Sequence, residues 1–329
     1  MSKKQWVFWN AFLLCVVVYA SSWILYTEWS KEPKPAFVNA AGSVDRDVIF
    51  PELSPDGTLS LRSFYLDDDE KSGSAMLLYG PNGETILVDS GTKKTVDQLL
   101  DYLDYLGIEK IDLAIATHPH VDHIGGFQKL IEEGFIDEMW MPNVKHKTFT
   151  FKRFERTIKK HRVSVTYIGD GDELTFGSLK FEVYNPPKET KEKAPKVRTV
   201  RDMNNSSTVM KVLYGRQSVL LTGDLYRDGE ADLLVRHPED LRATVMEAPH
   251  HGAFTSSSKQ FIEAVSPKLV FMNANIFQSK SVYNRYVTSG AKVFVNAFDG
   301  TVVMKTDGDE WEVSTERSQL AEEEVLAVQ

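Results

Sequence analysis

The sequence predicts an α/β protein in four layers (αββα), two β-sheets face to face with helices on both outer faces, preceded by one N-terminal apolar helix. Residues 6–26 are 21 positions without a charged side chain. From Leu59 onward, short β-type runs recur in two successive sets with amphipathic helical stretches between them. A polar, lysine-rich segment at 186–201 separates the sets. Two sheets with interspersed helices bury their apolar faces as a covered sandwich.

As a helix rising ~1.5 Å per residue, residues 6–26 would reach about 30 Å, the thickness of a bilayer's hydrocarbon core. Trp6, Trp9, Trp23, Tyr26 and Trp29 cluster near the two ends, as interfacial aromatics do, and Lys3 and Lys4 precede the run. The sequence therefore predicts a membrane anchor at 1–27, a single-pass protein of the cell membrane with its globular part outside the cytoplasm. The alternative is a cleaved signal peptide and a secreted product, for which Val18-Tyr19-Ala20 is a weak cleavage site inside a continuing apolar run.

Residues 28–57, with Pro33, Pro35, Pro51 and Pro55, lack sustained periodicity and read as a linker. The folded domain is expected at 58–315 and an acidic tail at 316–329. Strands are expected at 59–66, 75–79, 85–89, 111–116, 139–141, 163–168 and 179–184, and in the second set at 207–213, 218–222, 244–247, 269–272, 292–295 and 301–305. Helices are expected at 95–107, 127–133, 151–161, 228–236, 259–265 and 282–288. In the first of these, Val96, Leu99, Leu100, Leu103 and Leu106 follow the 3.6-residue period and Gly107 offers a stop.

Hydrophobic content of 42% and charged content of 26% fit a chain with a real core, and disfavour disordered, collagenous and multi-span classes. The net charge of −9 disfavours a basic nucleic-acid coat. Cys15, the only cysteine, lies in the apolar run, so everything after it lacks disulfides and thiolate ligands. Metal chemistry must then come from His, Asp and Glu.

Five of the eight histidines fall in two tight clusters, each following an expected strand. In His118-Pro119-His120-Val121-Asp122-His123, closed by Gly125-Gly126, imidazoles at i and i+2 are followed by a carboxylate and a third imidazole. Nitrogen and oxygen donors of this kind suit Zn²⁺. The second cluster is His250-His251, and Asp224 follows an apolar strand that can carry a carboxylate into the same cleft. His146, His161 and His237 stand alone among polar neighbours and read as surface residues.

The HxHxDH run resembles the signature of the metallo-β-lactamase superfamily. Further motifs follow in order. Thr85-Ile86-Leu87-Val88-Asp89-Ser90-Gly91 is similar to the first, whose Asp braces the ligand loop. Leu220-Leu221-Thr222-Gly223-Asp224 is similar to the strand delivering the carboxylate between two metals, and Ala248-Pro249-His250-His251-Gly252 to the last ligand motif. Within the superfamily the likeness is to the hydrolase domain of ComEC-type DNA-uptake proteins and their free-standing relatives, which include phosphorylcholine esterases. It is carried by Asn204-Asn205-Ser206-Ser207-Thr208-Val209-Met210, Gly215 and Gly300-Thr301-Val302-Val303, over residues 59–314. The chain departs from those relatives at 66–74, where they carry Gly-Gln-Gly-Asp, and at Gln278-Ser279-Lys280, where they show His-Pro. The histidine that many members place upstream of the bridging Asp is absent, with Asn204 and Asn205 in that region.

The resemblance implies a metallo-β-lactamase sandwich holding two divalent metal ions, Zn²⁺ or alternatively Mn²⁺, and hydrolysis by a metal-bound hydroxide. It assigns His118 and His120 to the first metal. Asp122, His123 and one of His250 and His251 go to the second, with Asp224 between. Asp122, His250 and His251 are the candidate catalytic residues, Asp89, Asn204 and Asn205 the supporting ones. Three readings follow: a phosphodiesterase or nuclease; a hydrolase of lactam, lactone or amide bonds; a metal-binding sensor without turnover. The first is favoured by eight Lys or Arg against one acid at 145–162, and by the basic 188–201 segment running into Asn204. A positive rim would concentrate anionic phosphoryl substrates, DNA or RNA among them.

Overall fold

The computed structural model of the protein describes residues 49–197 and 199–317. The expected anchor at 1–27, most of the 28–57 linker and nearly all of the acidic tail lie outside the described residues. Among the described residues, no helix is long and apolar enough to cross a membrane.

Two sheets form. The first half of the chain supplies β1 (Leu59–Ser63), β2 (Met76–Tyr79), β3 (Thr85–Val88), β4 (Leu113–Ile115), β5 (Glu138–Met141) and β6 (Ser164–Tyr167). The second sheet is built from β7 (Glu173–Phe176), β8 (Leu179–Asn185), β9 (Val209–Tyr214), β10 (Gln217–Leu221), β11 (Val245–Glu247), β12 (Leu269–Met272) and β13 (Lys292–Val295). The chain then returns to the first sheet with β14 (Val302–Thr306) and β15 (Trp311–Thr315). Strand order is β15-β14-β1-β2-β3-β4-β5-β6 in one sheet and β13-β12-β11-β10-β9-β8-β7 in the other. Strands β3 to β6 run parallel, as do β10 to β13. Their carboxyl ends open on loops, the usual position of ligand sites in such sheets.

The period-2 alternation of the strands sorts side chains between layers. Leu59, Leu61, Ile86, Val88, Val219 and Leu221 point into the space between the sheets, where Trp140 meets Phe181 edge to face at 5.3 Å. Leu77, Leu87 and Ala114 face outward against helices of the first half, and Leu220, Met246 and Val270 against those of the second. Three apolar cores, one between the sheets and one on each outer face, make the four expected layers.

Helices cover the outer faces: α1 (Val96–Tyr105), α2 (Val121–Ile124), α3 (Phe127–Glu132) and α4 (Phe149–His161) on the first half, then α5 (Glu189–Glu192), α6 (Val200–Asn204), α7 (Arg227–Arg236), α8 (Lys259–Val265), α9 (Lys280–Thr288) and α10 (Asn296–Asp299). In α4 the Thr148 hydroxyl accepts from the Phe151 amide as N-cap, and Phe151, Phe154 and Thr157 form the buried stripe. Lys159, Lys160 and His161 lie at the negative carbonyl end, and Arg162 ends the helix with φ 58°.

Several expectations are corrected. The domain begins upstream of residue 58: Ile49 and Phe50 are buried, and Phe50 stacks on Tyr102 at 4.6 Å. Two apolar residues among prolines give no periodic signal. Strands β7 and β15 were not expected; both are sheet edges with alternate positions exposed. The short α2, α5, α6 and α10 were also not expected. His237 is largely buried against Tyr184 and bonds Asp170 at 2.8 Å, so it is structural rather than a surface residue.

Candidate metal centre

The loops after β3, β4, β10, β11 and β12 converge at one end of the sandwich. After β4 the chain delivers Thr117 to His120, then α2 presents Asp122 and His123. Gly125 is forced by space: a Cβ there would lie 2.4 Å from the Val121 carbonyl oxygen and 2.6 Å from the Lys93 nitrogen. After β10, the Asp224 amide donates to the Ser207 hydroxyl at 3.0 Å. After β11, His250 and His251 both adopt left-handed backbone, with φ 53° and 56°. Two such residues in succession are unusual for non-glycine positions and cluster at functional sites. The turn closes at Gly252, where a Cβ would meet the Met272 sulfur at 2.7 Å.

Asp224 is buried and uses both oxygens. Its Oδ2 lies 3.5 Å from His118 Nε2, and its Oδ1 lies 3.2 Å from His123 Nε2 and 3.6 Å from His251 Nε2. His118, His120 and Asp224 form one group able to hold a cation, with His118 Nε2 2.9 Å from His120 Nδ1. Asp122, His123 and His251 form a second. Two ligands about 2.0–2.2 Å from a tetrahedral cation stand about 3.3–3.6 Å apart, so the Asp224 contacts have the right span. His123 Nε2, His251 Nε2 and Asp224 Oδ1 are also buried without a hydrogen-bond partner. Buried polar atoms are rarely left so, and a divalent cation satisfies all three.

The surrounding bonds fix which nitrogens face inward. Asp89, with φ 57°, accepts from the Thr117 amide at 2.8 Å, the Thr117 hydroxyl at 2.7 Å and His123 Nδ1 at 2.7 Å. His251 Nδ1 donates to the Asn273 carbonyl at 2.7 Å. Outer-shell bonds of this kind orient ligating imidazoles. Burial lowers the basicity of His118, and the neighbouring His123 adds to this; burial likewise lowers His120 and His250. Neutral imidazole is the ligating form. Burial would raise Asp224, yet His123, His251 and His118 hold it well below the usual carboxylate range.

The two histidines that the sequence left interchangeable have separate positions. His251 belongs with Asp122 and His123, whereas His250 lies outside both groups, its Nε2 3.7 Å from Asp224 Oδ2 and its Nδ1 2.6 Å from the Thr255 hydroxyl. Asn205 is a brace: its Oδ1 accepts from the Tyr226 amide at 3.1 Å and its Nδ2 donates to Asp228 at 2.9 Å. Asn204 is buried, and neither of its amide atoms makes a hydrogen bond of normal geometry.

Four residues outside the expected set of site residues adjoin the site. His146 is only partly exposed, with its ring 6.1 Å from that of His120, which corrects its reading as a lone surface residue. Tyr226 packs on His250 at 4.9 Å between ring centroids. Lys71 Nζ lies 3.7 Å from Asp122 Oδ2. Glu247 accepts from the Thr222 and Gly223 amides, at 2.8 and 3.0 Å, and from Asn273 Nδ2 at 2.9 Å, tying the Asp224 turn to the residue that holds His251. An acid inside the apolar Val245-Met246-Glu247 strand is a signal that could have revealed it. The 66–74 and 278–280 segments, where a departure from the resembled family is expected, touch each other, Gln278 Nε2 donating to the Ser72 hydroxyl at 3.2 Å.

With this geometry in place, the comparisons are consistent. The profile described as the metallo-beta-lactamase superfamily matches residues 68–271, and the chain belongs to that superfamily of metallo-hydrolases. It is 25% identical over 96% of its length to the uncharacterized protein YcaI of Escherichia coli, covering 38% of that protein. It is 26% identical over 69% of its length to ComE operon protein 3 of Bacillus subtilis, covering 29% of that protein. The chain thus spans well under half of these relatives, and its competence-protein homologues place it in the ComEC-like branch. The metallo-beta-lactamase fold protein YhfI from Bacillus subtilis superposes with a TM-score of 0.53 at 14% identity, over 75% of this chain and 100% of YhfI.

Proposed function

We propose that this domain is a metal-dependent phosphodiesterase acting on phosphoryl-containing polyanions, nucleic acid among them, and held outside the cytoplasm by the apolar run at 6–26. The observation that carries the catalytic reading is Asp224, a buried carboxylate whose two oxygens face separate groups of ligand-type side chains. His118 and His120 would hold one cation, Asp122, His123 and His251 the other, with Asp224 shared. Zn²⁺ suits this donor set. Such cations, when bound, bring a water's pKa toward neutrality and offset charge on the leaving oxygen. The residues around them do the rest. Asp89 and Asn273 hold His123 and His251 in register, and His250, clamped by Thr255, turns Nε2 toward the cleft, where it can contact substrate or protonate the leaving oxygen.

The substrate class rests on charge. The basic helix α4 packs on α2, which carries Asp122 and His123. Asn143, in the loop leading to His146, donates to the Lys191 carbonyl at 2.9 Å, so both basic segments meet on the same flank. Lys191 itself is bound to Asp172 at 2.6 Å and is structural, which leaves Lys188, Lys193 and Lys196 as exposed charges. A rim of this sign steers polyanions, and its effect falls as salt shortens the Debye length to about 8 Å at physiological strength.

The test is phosphodiesterase kcat/KM against ionic strength, with Zn²⁺ or Mn²⁺ supplied, for the parent and a Lys188→Gln, Lys193→Gln, Lys196→Gln variant. Steering gives the variant a lower rate at low salt and a flatter salt dependence. Hydrolysis with identical salt curves would remove the rim's role. No hydrolysis of any phosphodiester, with turnover of a lactone or amide, would overturn the substrate assignment.

A further inference from the structure

A cavity lies on the outer face of the first sheet, with none of the metal-centre residues in its lining. Strand β1 alternates: Leu59 and Leu61 enter the core between the sheets, so Ser60 and Arg62 point the other way. By register, Ser60 stands beside Tyr79 and Lys305, and Arg62 beside Val303. The segment at 51–58 folds over this floor and borders a partly open cavity of about 240 Å³. Arg62 lines it yet is only 4% exposed.

The arginine is poorly satisfied. Its Nη1 donates to the Ser60 hydroxyl at 2.6 Å, and its Nε is buried with no acceptor. Among the described residues, no carboxylate lies within ion-pairing distance of the guanidinium. The nearby acid, Asp56, is already engaged by Lys305 Nζ at 2.6 Å and by the Thr58 amide at 3.0 Å. Buried guanidinium groups are ordinarily paired, because an uncompensated charge out of water is costly. A planar fork of N–H donors matches a carboxylate or phosphate with two parallel bonds.

We propose that this cavity is a binding site for a small oxyanion, one carboxylate or phosphate group, received at the Nη2 edge of Arg62 between Ser60 and Tyr79. Burial lowers the Arg62 pKa to about 10, Asp56 acting the other way, so the side chain stays cationic at neutral pH while lacking a direct partner. The acids Glu52 and Glu312 also line the cavity. They disfavour a polyanion and favour a ligand with one anionic group and donors elsewhere. The site is therefore distinct in ligand as well as in place from the metal cleft.

The probes are acetate, glycine and inorganic phosphate, titrated against the metal-loaded chain at constant ionic strength and followed by thermal unfolding. The parent should show a saturable rise in Tm with at least one probe, and Arg62→Met should lose it while keeping its metal content. Acetate or glycine acting without phosphate would mark a carboxylate site, and the reverse a phosphate site. Should Arg62→Met fold poorly, Arg62→Lys retains charge without the fork and should bind at least tenfold more weakly. The Arg62 Nε resonance of ¹⁵N-arginine-labelled parent, assigned with that variant, should move along the same titration. No saturable response, an Nε resonance that ignores every probe, or a response that survives in Arg62→Met would overturn the proposal. The last result would place the anion at the metals.

Discussion

Replacing Asp89 by Asn asks whether second-metal binding depends on a proton held away from the metals. Asp89 accepts three hydrogen bonds, and Asn preserves its shape and tolerates its φ of 57°. The carboxamide oxygen can keep the Thr117 amide bond, and the Thr117 hydroxyl can rotate to accept. The amide nitrogen, however, now donates toward His123 Nδ1. His123 can accept only as the tautomer with its proton on Nε2, the nitrogen 3.2 Å from Asp224 Oδ1 and needed by a cation. Outer-shell changes of this kind lower metal affinity about 10–100-fold, or about 1.4–2.8 kcal/mol at about 1.4 kcal/mol per tenfold. Equilibrium dialysis against buffered Zn²⁺, with metal read by elemental analysis, should show one site weakened by that factor in Asp89→Asn and the other nearly unchanged. Parent-like affinity at both sites, in a folded Asp89→Asn protein, would refute the tautomer argument.

His146→Gln should keep both metals, since His146 belongs to neither ligand group, and lower kcat/KM about 10–100-fold if its lost contact is to a charged substrate. Loss of a metal would make it a ligand instead. Asp299 is buried and accepts from the Val295 amide, and burial pushes its pKa up to about 6. A raised carboxyl pKa contributes stability that is full below the unfolded value and lost as pH rises through about 6. Asp299→Asn should therefore be the more stable protein at pH 8, by roughly 1–3 kcal/mol, with the difference vanishing near pH 4. Urea unfolding at both pH values checks this, and a pH-independent difference would contradict it.

What the sequence made legible depended on local density of signal. The ligands from His118 to His123 are nearly contiguous, and Asp224 ends an apolar strand, so type and spacing sufficed. His250 and His251 are chemically identical neighbours, and only their left-handed backbones separate the one grouped with Asp122 from the one beside Thr255. His146 reaches the cleft by the path of a loop, which leaves no trace in local spacing. Arg62 occupies a position that alternation assigns to solvent, and it is buried because residues 51–58 fold over it. The strongly periodic elements, such as α1 and β10, were placed within two residues, whereas the edge strands β7 and β15 carry too few buried side chains to register.

The most direct test of the metal assignment is the number of divalent ions retained per chain by the parent and by Asp224→Ala after dialysis against a weak chelator. Because Asp224 presents one oxygen to each ligand group, the account predicts up to two ions in the parent and loss from both positions in the variant, with phosphodiesterase turnover abolished. An Asp224→Ala protein that kept two tightly held ions and parental activity would contradict it.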